Sequence, residues 1–223
     1  MQDVALGVEC ALPAGYAARR VTRVAPARRN SASRFIGWLL IGCLVAGLWQ
    51  LGQGAYIHAK AQFAQYLIAK AWHKTLAGQR AVKPWPWADT WPVARIVAPA
   101  TGEQRYVLAG ADGRAIAFGP GHMHGTPLPG MAGNSVIGGH RDTHFAFLRD
   151  IKPGDKLMVQ RADGALRSYR VSEMQVVDKS AVHVAGNSGP TRLTLVTCWP
   201  FDALRAGGPA RYVVTAVASE DLP

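Results

Sequence analysis

The chain has 223 residues, with 25 Lys and Arg against 14 Asp and Glu, for a formal net charge of +11. Its length suits one domain, or one domain with an appendage, and 49% hydrophobic content excludes disorder throughout. Three cysteines, Cys10, Cys43 and Cys198, are too few for a disulfide framework.

The position of the charge decides what it means. Residues 1–34 carry net +4, residues 35–99 net +5, and residues 100–223 only +2. A nucleic-acid-binding protein carries its basic footprint on the folded part. The near-neutral C-terminal half therefore argues against nucleic acid as a partner.

Residues 1–34 form a basic arm with six arginines, Arg19, Arg20, Arg23, Arg28, Arg29 and Arg34. An apolar run follows, in which Gln50 is the only strongly polar side chain between Phe35 and Leu51. Extended to Ile57, the run is long enough to span a bilayer, which takes about 20 residues. Trp38 and Trp49 lie near its ends, where interfacial aromatics belong. A buried core helix and a cleaved signal peptide, with a small-x-small site at Ala59-Lys60-Ala61, are the competing readings. A core helix rarely follows six arginines, and an n-region of this length is long for a signal peptide. Residues 35–57 thus read as a retained transmembrane anchor in the lipid bilayer. By the positive-inside rule the N-terminus is cytoplasmic and residues 58–223 lie on the outer side of the membrane. Cys198 is then the only exported thiol.

Residues 58–82 read as an amphipathic helical stalk ending near Gly78, with Phe63, Leu67, Trp72 and Leu76 as its apolar stripe. The stretch VKPWPWADTWPVARI opens the next segment. Pro84, Pro86 and Pro92 forbid helix there, and Trp85, Trp87 and Trp91 are expected to pack on the domain wall or at the bilayer interface.

Residues 83–223 read as a β domain. Short β-rich runs (RYVLAG, RAIAFGPG, SVIGGH, DKLMVQR, LRSYRVSEMQVVD, RLTLVTC and ARYVVTAV) alternate with Gly, Pro and Asp turn signals. Even spacing without helical patterns argues a mainly β barrel or sandwich.

Three polar side chains stand at strand ends. His140 closes SVIGGH, Cys198 closes RLTLVTC, and Arg211 opens ARYVVTAV. The last two strands are expected to be antiparallel neighbours, bringing Cys198 and Arg211 close. A thiolate is a nucleophile favoured by a nearby imidazole or guanidinium. A histidine can act as acid and then base, and an arginine fork can hold an oxyanion. Taken singly, a cysteine after an apolar strand is more often a small core residue, and a lone His or Arg at a strand end is usually surface. The combination is what suggests chemistry.

The segment TLVTC, Thr194 to Cys198, resembles the T-L-x-T-C signature of sortases. The histidine in VIGGHRDTHF is similar to the family's catalytic His, which commonly follows a small residue in A-G-H, here Gly139. Arg211, opening the strand after the cysteine, matches the family's active-site arginine. The stretches KPWPWADTWPVARI, AFGPGH and GHRDTHFAFL resemble the Gram-negative branch, class GN. The resemblance implies a sortase-like β-barrel of about eight strands and a cysteine transpeptidase. By its mechanism Cys198 attacks a peptide carbonyl in the C-terminal sorting signal of an exported substrate protein. His140 transfers protons, Arg211 stabilises the substrate or oxyanion, and an amine accepts the acyl group. Thr197, Asp142 and Thr143 are adjacent candidates for substrate contact or for supporting these side chains. The family needs no organic cofactor, and the acidic residues after position 100 are too scattered for a calcium cluster. The loop over residues 178–192 corresponds to the family's substrate-facing loop and is short.

His122-Met123-His124 with His140 and His144 is a weaker metal pattern, since Asp142 is the only acid nearby. An L,D-transpeptidase also uses exported Cys and His, but places a histidine just before the cysteine, where this chain has Leu195, Val196 and Thr197. A non-catalytic anchored β module of an envelope assembly is the remaining alternative.

Overall fold

A computed structural model describes residues 31–113, 115–181, 190–205 and 207–219. The basic arm through residue 30 and most of the loop before the cysteine strand, including His183, lie outside the described residues. The chain divides into two compact units, one ending at Leu51 and the other beginning at Gly52.

In the first unit the described chain is helical, part of helix α1 (Ser31–Leu76). It contains an apolar stretch long enough to cross a membrane, none of it buried in protein. Phe35, Trp38, Leu44, Leu48 and Trp49 all expose most of their surface. In water such a face would be costly, and in hydrocarbon it is matched.

In the second unit α1 continues to Leu76, and Gly78 with φ 92° ends it in the left-handed conformation that glycine tolerates. The buried face is Ala64, Ile68, Ala71, Trp72 and Thr75. This corrects the expected stripe. Trp72 is buried, but Phe63 is exposed and stacks on Tyr66. Apolar residues occupy more than one face of this segment, so periodicity alone admits more than one stripe. The small Ala64 and Ala71 let the helix approach closely, Gln65 Nε2 donates to the Phe118 carbonyl (2.6 Å), and Trp72 meets Tyr106.

Eight strands close into a barrel: β1 (Pro92–Ala98), β2 (Glu103–Ala109), β3 (Gly121–His122), β4 (Asn134–Gly138), β5 (Lys156–Arg161), β6 (Leu166–Asp178), β7 (Arg192–Cys198) and β8 (Ala210–Ser219). Their spatial order is β1-β2-β3-β4-β7-β8-β6-β5, with β5 returning to β1. The β2–β3 and β4–β7 pairs are parallel and the others antiparallel. Closure removes every free sheet edge. The interior is filled by Ile96, Val107, Ile137, Leu157, Val159, Leu193, Leu195 and Val214, with Phe145, Leu148 and Tyr169 sealing it.

One local expectation changes. From Ala115 onward RAIAFGPG is no strand: Ala115–Ala117 is a 3-10 turn, where Asp112 Oδ1 accepts from the Ala115 amide at 2.9 Å, and only Gly121–His122 pairs as β3. β1 starts at Pro92, whose missing N–H costs little at a strand end. Of the three tryptophans before it, Trp85 packs edge-on against Phe118 and Trp87 is exposed.

Candidate active site

The site is built where β4, β7 and β8 end together. Along β7, Leu193, Leu195 and Thr197 are buried, while Thr194, Val196 and Cys198 are only partly covered. Strand alternation therefore turns Cys198 to the outer face. Cys198 pairs directly with Arg211 across the antiparallel β7–β8 ladder, so both side chains leave the same face.

His140 is not the last residue of its strand, as expected from the sequence, but lies two residues beyond it. The last β4–β7 pair is Gly138 with Val196. Backbone contact continues one step further: the Gly139 amide donates to the Val196 carbonyl (3.1 Å), and Thr197 Oγ1 donates to the Gly139 carbonyl (2.7 Å). These two bonds bring the chain just before His140 alongside Thr197, the residue before Cys198. Cys198 and Arg211 are direct partners on one face, and His140 follows this junction.

The turn after His140 is tight. The Phe145 amide donates to the His140 carbonyl at 2.9 Å. Phe145 is fully buried beneath Gly139, where an added Cβ would come within 2.8 Å of its ring. Glycine at 139 is thus required by the ring below it. Asp142 and Thr143 are exposed on this turn. His144 is partly covered, and burial pushes its imidazole below the ordinary 6.5. The nearby Arg105 and His140 push the same way, while the Ala117 carbonyl and Asp142 oppose them.

Arg211 Nη1 donates to the carbonyls of Gly208 (2.8 Å) and Ala210 (2.9 Å), which holds the guanidinium against its own loop. The Asp178 carboxyl, beside Ala210 in the β6–β8 ladder, is held below its usual range. The Ser180 hydroxyl and amide do most of this, with Lys179 and Arg211 contributing less.

Two hollows are lined by chain neighbours of these residues, and Cys198, His140 and Arg211 line neither. One, of about 470 Å³, is walled by Trp199, Pro200, Phe201 and Tyr212, with Arg149 and Asp202 at its edge. Trp199 stacks on Tyr212 at 5.5 Å, and Phe201 meets both rings edge-on. The other, of about 460 Å³, is lined by the polar residues Thr101, Glu103, Arg141, Asp142, Arg149 and Asp150 together with Ala146, Phe147 and Phe201. The aromatic wall and Arg141 were not singled out from the sequence. The Trp-Pro-Phe directly after Cys198 and the Arg directly after His140 were the available signals.

The described histidines do not gather into a ligand set. His122 is buried, and its Nε2 is bonded to the Pro127 carbonyl (2.9 Å) and Thr126 Oγ1 (3.0 Å). Among the described residues there is no cluster of three or more metal-ligating side chains.

The comparisons with known proteins agree with this architecture. The family model described as Sortase domain matches residues 96–219. Sortase D of Bacillus subtilis is 28% identical over 48% of this chain and 54% of its own length. Sortase A of Listeria monocytogenes is 29% identical over 48% of this chain and 49% of its own. The chain thus spans about half the length of these curated relatives. Among solved structures, a Clostridium perfringens Sortase D5 transpeptidase is 25% identical with a TM-score of 0.51, covering 58% of this chain and 79% of that one. Sortase A from Corynebacterium diphtheriae superposes with a TM-score of 0.55 at 23% identity, covering 72% of this chain and 86% of that one, a likeness of fold.

Proposed function

Because the chain belongs to the sortase family, we propose that it is a membrane-anchored cysteine transpeptidase with Cys198, His140 and Arg211 as its reacting groups. The observation that supports this reading is the Cys198–Arg211 pair across β7 and β8, with the Gly139–Val196 and Thr197–Gly139 hydrogen bonds bringing the segment just before His140 alongside β7.

In this reaction the Cys198 thiolate attacks a peptide carbonyl carbon in the C-terminal sorting signal of an exported protein. The S–C bond forms and the carbonyl π electrons move to oxygen. Arg211 faces that oxyanion with the donors its Nη1 contacts leave uncommitted. Preorganised donors aimed at developing charge are the largest single contributor in many such sites. The C–N bond then breaks, and the leaving amine takes a proton from the His140 imidazolium. An acceptor amine next gives a proton to His140 and attacks the thioacyl carbon, and Cys198 departs as thiolate. No step needs a cofactor.

The apolar helix through residues 35–57 supports single-pass anchoring, and the arginine excess before it supports an inside N-terminus. The catalytic domain then works on the periplasmic side, and Cys198 is its only thiol. The domain scheme is accordingly a basic arm (1–34), an anchor (35–57), a stalk (58–82) and a catalytic barrel (83–223). KPWPWADTWPVARI, AFGPGH and GHRDTHFAFL support placement in class GN.

Replacing Cys198→Ala tests the reading. Acyl transfer is expected to vanish while Tm stays near that of the parent. Retained transfer, or a Cys198 inert to thiol reagents in the folded protein, would support a non-catalytic module instead.

A further inference from the structure

Arg141 follows His140 directly, yet is 6% exposed, and it makes no ion pair among the described residues. Charged side chains are almost never buried this far unless paired. Its Nη2 donates to two backbone carbonyls far along the chain, Ala203 at 2.8 Å and Arg205 at 2.5 Å. Nη1 is buried with no partner. Desolvating a guanidinium without a carboxylate is unfavourable, so the group is retained for what it holds.

What it holds is the connection between β7 and β8, which joins Cys198 to Arg211. Near its end that connection has two glycines in left-handed conformation, Gly207 and Gly208. Between the two clamped carbonyls, Leu204 projects fully into solvent. The barrel side of this stretch is thus tied by Arg141. On the other side Arg141 is covalently next to His140, in the turn closed by the Phe145 amide.

We infer that Arg141 is a positioning residue that clamps the β7–β8 connection to the His140 turn, fixing the spacing between His140 and the Cys198–Arg211 pair. This rests on the reading of those three as the reacting groups. Arg141 touches no reacting atom and acts through its neighbours. Its two hydrogen bonds to carbonyls are charge-assisted, and these are stronger than neutral ones.

The test uses the full chain in detergent and two variants. Arg141→Met keeps the buried stem without donors, and Arg141→Lys keeps a donor without the planar fork. Two quantities are read: amide hydrogen exchange over residues 199–205, and the rate at which iodoacetamide modifies Cys198, followed at the level of its peptide. Arg141→Met is expected to speed exchange in 199–205 and leave β1 and β5 unchanged. It should also slow Cys198 modification by about tenfold, the order expected from a small misplacement. Arg141→Lys should fall between, and decides the matter if the Met variant does not fold. Adding Arg141→Met to His140→Ala should slow modification no further, because Arg141 acts through His140. The core variant Ile96→Val, destabilised away from the rim, should alter neither quantity. Unchanged exchange in Arg141→Met, or losses that add to those of His140→Ala, overturns the inference. If wild-type Cys198 reacts no faster than an unfolded thiol, the catalytic reading fails, and the exchange result still decides whether Arg141 is the clamp.

Discussion

Thr197 Oγ1 donates a 2.7 Å hydrogen bond to the carbonyl of Gly139. Each residue immediately precedes one of the proposed reacting residues, Cys198 and His140. The bond therefore fixes the relative height of two strand ends where the β4–β7 ladder has already stopped. Thr197 is 2% exposed, so water cannot replace it there. Thr197→Val keeps the shape and removes the donor, at a cost of about 1 kcal/mol in stability. Activity should fall further than that loss implies, by about tenfold or more, because reacting groups tolerate little misplacement. Thr197→Ser keeps the hydroxyl and should retain most activity. Thermal unfolding and transfer rates on the three proteins check this.

Gly139 is held by sterics rather than by backbone conformation. Its Cβ would stand 2.8 Å from the Phe145 ring. Gly139→Ala should cost about 1–3 kcal/mol, the range for overpacking a close-packed site. The second substitution Phe145→Leu should recover part of the loss by making room. A double variant no better than Gly139→Ala alone would show that the Phe145 ring is not what excludes a side chain.

Arg211 combines two carbonyl contacts with a position opposite Cys198. Arg211→Ala should remove most transfer. Arg211→Lys keeps the charge but cannot hold two carbonyls and an oxyanion in one plane, so it should restore little. The measurement is kcat against KM in a transfer assay. Wild-type turnover by the lysine variant would remove the proposed role.

Burial lowers the imidazoles of both His122 and His144 below their ordinary 6.5. For a histidine kept neutral by the fold, the unfolded chain binds more protons. That stability is complete above 6.5 and is lost as pH falls from there through the depressed folded values. Tm should therefore decline as pH falls below about 6.5, the unfolded value. His144→Gln, which cannot take up the proton, should make the decline shallower. An unchanged slope in that variant would assign the acid sensitivity elsewhere.

Much of the barrel was legible in the sequence because its strands alternate. RLTLVTC and ARYVVTAV read as antiparallel neighbours, and Cys198 does pair with Arg211. The Gly and Pro turns marked most of the strands, while the number, about eight, came from the resemblance to sortases. What was not legible depends on contacts across long sequence separations. Nothing local says that Arg141 reaches Ala203 and Arg205, or that Phe145 lies beneath Gly139. The face of α1 that packs on the barrel was misjudged for a related reason. Both Phe63 and Ala64 fit a helical repeat, and the barrel wall selects the smaller residue. The segment from Ala115 is rich in apolar residues but is a 3-10 turn, with the Ala115 amide bonded to Asp112 rather than to a neighbouring strand.

The central claim is that Cys198 carries the acyl group between two amines. Mass spectrometry of the full chain recovered from its native envelope tests it most directly. The account predicts a thioester-linked peptide on Cys198, released by a strong amine nucleophile, accumulating when the acceptor amine is withheld and absent when His140 is replaced by a residue that cannot protonate the leaving amine. Cys198 found only as free thiol in the parent protein, under conditions where transfer is occurring, would contradict it.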